Sequence, residues 1–83
     1  MLFSAILELN GIDESRKFFR DLLTENELIE FANRWKVANM LDEGISYEII
    51  EIETGMSSTT IARIQKWLKG GKGGYRLMLD RLR

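Results

Sequence analysis

The 83 residues contain no cysteine, no histidine and no proline. The first absence excludes disulfides, and the first two together remove the usual zinc ligands. Nucleophilic and general-base chemistry built on those side chains is excluded with them. The carboxylates are spread over helical segments without a paired arrangement, and no P-loop occurs, so no enzyme and no cofactor are expected. No apolar run approaches the roughly 20 residues of a spanning helix, and Met1 is not followed by a basic segment and a cleavage site, so the chain reads as cytoplasmic, with no membrane partner. Without proline, glycine is the main punctuation. Gly11, Gly44, Gly55, Gly70, Gly71, Gly73 and Gly74 fall between stretches of helical period, which predicts an all-α fold.

What is present fits one small domain over residues 1–83, with 45% hydrophobic content. Domains of this size hide only about 60% of their unfolded surface and gain little stability alone. With disulfides and metals excluded, self-association is the remaining aid. The net charge of −1 conceals a division: residues 1–55 carry five basic and twelve acidic side chains, whereas residues 56–83 carry seven basic and one acidic. That asymmetry suits an anionic partner for the C-terminal part. A solvated basic face complementing the acidic half is the plainer reading, and charge alone does not separate the two.

Leu2–Leu9 is apolar in nearly every direction and wants burial on more than one side. Asn10 and Gly11 are expected to end it, and an amphipathic helix follows from about Asp13 to Leu23, its stripe formed by Phe18, Phe19, Leu22 and Leu23. Thr24 and Glu27 form a capping box that starts a helix at Glu25. Apolar residues keep helical spacing from Leu28 through Trp35 to Leu41, up to a cap at Gly44, with Asn33 a possible break, so residues 25–43 read as one helix or two. Ser46 caps a helix from Tyr47 to Thr54; Gly55, Met56 and Ser57 make a turn; a further helix runs from Ser58 to about Lys69. Two short helices joined by a glycine-led turn match a helix-turn-helix, here over about 46–69. A last amphipathic helix spans Tyr75 to Leu82.

In the helix from Ser58, Ile61, Ile64 and Leu68 share the anchoring face. Thr59, Ala62, Arg63 and Lys66 share the opposite one, at helical spacing. Small residues near the start of the helix allow close approach to a major groove, with Thr59 or Ala62 against thymine methyls and Arg63 or Lys66 toward guanine or phosphate. Ser57, Ser58, Thr59 and Thr60 crowd hydroxyls around free amides at a helix N-terminus, which favours phosphate. Taken one residue at a time, Ser57 is an N-cap and the threonines are solvated surface. The Gly70–Gly74 loop either lets backbone approach phosphate beside Lys69 and Lys72 or only joins two helices. The combined pattern favours double-stranded DNA as partner. The alternative is a helical protein-interaction module whose basic C-terminal face binds an acidic protein.

FFRDLLT at 18–24, RWKVANML at 34–41, TGMSSTTIARIQKWL at 54–68 and GGYRLMLDRL at 73–82 resemble the Trp repressor superfamily, in particular its small Trp-repressor-related, YerC/YecD-like branch. The resemblance covers nearly the whole chain. It implies a six-helix subunit and an intertwined homodimer that regulates transcription, as a repressor, by binding a pseudo-palindromic operator. Half-sites would then lie about 34 Å apart.

The family's namesake uses bound tryptophan to set its reading heads, and here the resemblance implies a changed ligand pocket made of Asn33, Glu43, Arg63, Ile64 and Trp67. Arg63 falls on the repressor's arginine, Ile64 on a glycine and Trp67 on a serine, while Asn33 replaces a threonine and Glu43 an arginine. Ile64 and Trp67 would fill the space of an indole ring, and Glu43 would repel a carboxylate. Tryptophan is therefore not expected as corepressor, and no other small-molecule effector is legible. Glu51 departs from the small residue commonest at its helix-turn-helix position.

Overall fold

The computed structural model describes all residues from Met1 to Arg83, as six helices and no strand: α1 (Leu2–Leu7), α2 (Gly11–Leu22), α3 (Glu25–Asp42), α4 (Tyr47–Thr54), α5 (Ser58–Gly70) and α6 (Gly74–Arg81). They divide into two units, Met1–Phe31 and Ala32–Arg83, with α3 running through the boundary. No helix is long and apolar enough to cross a membrane.

In the first unit, α1 ends at Leu7, two residues earlier than the apolar pattern predicts, and α2 starts at Gly11 rather than Asp13. The early start has a local cause. Glu14 reaches back to accept the Asn10 backbone N–H at 2.8 Å, so the acidic first turn closes around Asn10 and not around Asp13. The box that opens α3 is reciprocal: the Glu27 amide donates to Thr24 Oγ1 at 3.1 Å, and the Thr24 amide donates to Glu27 Oε1 at 2.9 Å. The backbone donor to its carboxylate, with the threonine side chain behind it, holds Glu27 below the usual carboxylate range. Phe18 and Phe19 meet edge-on, with centroids 5.5 Å apart. No residue of this unit is buried; Leu2, Phe3, Leu7, Ile12, Ile29 and Phe31 are among its exposed apolar side chains.

The second unit holds a core of Val37, Ala38, Met40, Ile50, Ile61 and Ile64, edged by Trp35, Leu41, Ile45, Met56 and Tyr75. α3 crosses Asn33 unbroken, since one asparagine inside a helix with satisfied neighbours is a small propensity loss and no steric stop. It ends at the predicted Gly44 in a Schellman arrangement, the Ile45 amide donating to Met40 O and the Gly44 amide to Leu41 O, both at 3.0 Å.

α6 is fastened to α3 at two places: Tyr75 stacks on Trp35 at 6.3 Å, and Arg76 makes a two-pronged pair with Asp42 at 2.8 and 3.1 Å. Leu79 of the same helix is buried. Arg83 joins the same carboxylate, and Arg76 also bonds Asp80 at 3.0 Å. The hydrogen bonds from Arg76, with the positive charge of Arg83 behind them, lower the Asp42 pKa; the same bonds raise that of Arg76. Two of the seven C-terminal cations are thus consumed internally.

Candidate nucleic-acid interface

The turn between α4 and α5 is built from short-range hydrogen bonds that the local sequence dictates. Thr54 donates its hydroxyl to Ile50 O at 2.7 Å and accepts the Met56 amide at 3.2 Å. Gly55 ends α4 at φ +71°, a left-handed conformation in which a side chain is strained, and its amide donates to Glu51 O at 2.9 Å. Ser46 and Ser57 cap α4 and α5 as predicted, accepting the amides of Ile49 and Thr60 at 3.4 and 3.3 Å. Ser57 Oγ and Thr60 Oγ1 also bond each other at 3.1 Å.

This turn presents α5 with its two faces separated as the spacing predicts. Ile61 and Ile64 are buried and Leu68 is half-buried, while Thr59, Ala62, Arg63 and Lys66 are exposed and, with Trp67 and Gly70, line one shallow concavity. Ser57 and Ser58 stand exposed at the positive end of the helix, and Thr60 is half-buried behind them. Lys69, in the last turn, and Lys72, in the loop, are exposed. Arg63, Lys66, Lys69 and Lys72 form no ion pair within the chain, unlike Arg76 and Arg83. Four of the five unpaired C-terminal cations therefore lie on α5 and the loop after it, with Arg81 on α6 the fifth, and they complement an anionic surface. Glu51 is half-buried on α4.

The residues of the expected ligand pocket are not all brought together. Arg63 and Trp67 share the α5 concavity, Ile64 points into the core, Asn33 is half-buried on α3, and Glu43 is exposed beyond its end. Neither Asn33 nor Glu43 lines this concavity. On its other side Trp67 meets a second depression, lined by Arg34, Lys72, Gly74 and Tyr75. Arg34 is the cation that sequence reading passed over. A single arginine one residue from Asn33 carries no signal until the fold sets α3 beside the loop after α5.

Gly71 also acquires a role here that the glycine cluster did not announce. A Cβ at this position would fall 2.6 Å from Trp67 Cε3 and would collide with the Trp67 carbonyl, which accepts the Gly71 amide at 3.0 Å. Only a residue without a side chain lets the indole rest on the loop.

The sequence profile of the Trp repressor protein family matches residues 1–83. An uncharacterized protein of Bacillus subtilis (strain 168), YerC, is 45% identical over 82 residues, spanning 99% of this chain and 79% of that one. A crystal structure from Staphylococcus aureus, described as that of a candidate Trp repressor, superposes with a TM-score of 0.91 at 42% identity, covering 98% of this chain and 81% of that chain. The crystal structure of a TrpR-like protein from Eubacterium eligens ATCC 27750 gives 0.93 at 42% identity, covering 98% and 84%.

Proposed function

Since the chain belongs to the Trp repressor family, we propose that it is a sequence-specific DNA-binding transcriptional regulator, acting as a repressor on a pseudo-palindromic operator. The observation that carries this reading is the α5 surface, on which Thr59, Ala62, Arg63 and Lys66 are exposed opposite buried Ile61 and Ile64. Such a helix can enter a major groove with its small residues leading and its long cations reaching base edges or phosphates. Ser57 and Thr60 spend their hydroxyls on the cap, so their part is to hold α5 in place, while Ser58, Lys69 and Lys72 are left for phosphate.

The working form is a homodimer of 1–83 single-domain subunits. The apolar side chains of residues 1–31, exposed in one chain, supply the surface for an intertwined partner. Tryptophan is not the corepressor in this reading, because Trp67 already places an indole on α5. Titration with L-tryptophan is the sharp check: micromolar binding would sink corepressor independence.

Selection from random double-stranded DNA, without tryptophan, tests the whole. The expected result is an enriched palindrome with half-sites about one helical turn apart. Affinity that falls with salt but prefers no sequence would point instead to a general basic surface.

A further inference from the structure

Trp67 is 53% exposed, on the same helix whose isoleucines are buried, and it forms the ridge between the two concavities beside α5. Four features set it apart from a tryptophan that merely reaches the surface. Its Cε3 corner rests on Gly71, where no side chain would fit, so the ring is held before any partner arrives. Its Nε1 lies on the other edge of the indole and bonds nothing within the chain. No carboxylate lines either concavity. Arg63 and Lys66 flank it on one side and Lys72 on the other, and these three cations are unpaired.

We propose that Trp67 is a direct contact to the DNA backbone, its indole N–H donating to a phosphate oxygen at the groove edge while the ring packs on the adjoining sugar. The inference rests on the DNA-binding reading above and adds a residue to it. The chemistry is selective: indole Nε1 donates and does not accept, and a phosphodiester oxygen accepts and does not donate. Cations on both sides bring that oxygen into reach. A ring that already packs on Gly71 on one edge loses less freedom on binding than one with no support, so more of the contact translates into affinity. Gly71 is accordingly a positioning residue.

The test uses the full chain and a duplex recovered by selection. In a Trp35→Phe background, Trp67 is the only tryptophan and its fluorescence reports its own environment. Adding the duplex is expected to shield it from acrylamide, while a polyglutamate of equal charge leaves it open. Trp67→Phe keeps an aromatic ring at this position but removes the N–H donor together with part of the ring area. It is expected to weaken DNA binding by on the order of ten-fold or more, as for a hydrogen bond to a charged group. The sequence preference should be retained, because phosphate contacts carry none. Gly71→Ala should alter Trp67 emission in the free protein and weaken binding by displacing the indole, without removing any DNA-facing group. Unchanged quenching while fluorescence anisotropy reports binding overturns the contact and leaves the DNA reading standing, as does a Trp67→Phe protein of unaltered affinity. Shielding by polyglutamate alone overturns it in favour of an acidic protein partner. A parent protein that binds no duplex removes the DNA reading, and this contact with it.

Discussion

Residues 1–31 and residues 32–83 are made of the same kind of helix, capped by the same short-range bonds, and they reach opposite states. The first stretch leaves Phe3, Leu7 and Ile12 largely in water and buries nothing, whereas the second buries Val37, Ala38, Ile50, Ile61 and Leu79 almost completely. Charge divides similarly, with three basic against seven acidic side chains in the first and nine against six in the second. Apolar content therefore does not by itself make a core. α4, α5, α6 and the end of α3 meet from several directions; the helices of the first unit leave their apolar sides unfilled within one chain. The same difference matches the division of tasks proposed above, a rigid surface for DNA on the cored unit and a surface for a second subunit on the uncored one.

The sharpest way to break this contrast is in the core. Ile61→Ala should destabilise the chain by about 2–5 kcal/mol, since Ile61 is fully buried, and by an amount independent of protein concentration in a urea titration extrapolated to the dissociated chain. On the DNA side of the same helix, Arg63→Ala should leave folding unaltered and weaken the selected duplex by about 1–3 kcal/mol with relaxed specificity; a uniform loss on all sequences would make Arg63 a phosphate contact.

Gly55→Ala probes the turn between α4 and α5. Nothing lies near its would-be Cβ, so the expected loss of about 1–2 kcal/mol in thermal unfolding is conformational strain alone. A smaller effect is expected from acid. Asp42 is held below its ordinary value of 3.8 by Arg76, so the stability it contributes is complete above that value and is lost as pH falls through the lowered one. Asp42→Asn should remove that share of the acid-induced fall in Tm and leave the share due to Glu27, which is lowered in the same sense by its capping bond. Smallest for the fold itself is Phe3→Ala. It should move the intrinsic stability of one chain by no more than about 0.5 kcal/mol, yet raise the concentration at which light scattering reports particles of twice 9.7 kDa.

The features that sequence reading anticipated are those whose partners lie within about one helical turn. The Thr24–Glu27 box, the Ser46 and Ser57 caps, the Gly44 and Gly55 ends and the division of α5 into two faces all follow from such spacing. α2 starts before Asp13 because Asn10 and Glu14 satisfy the box at a spacing of four instead of three. The Asp42–Arg76 pair, 34 positions apart, gave no signal in the chain, and neither did the stack of Trp35 on Tyr75.

The amino-acid order alone determined an all-helical chain, its main caps, the helix-turn-helix and the exposed residues of α5, because each of these depends on bonds closed locally along the backbone. Only the tertiary structure decided which cations remain free, that Arg34 and not Glu43 stands beside Trp67, and that Gly71 carries the indole. Those outcomes depend on side chains from different helices competing for the same charge and the same space, and linear spacing does not encode that competition.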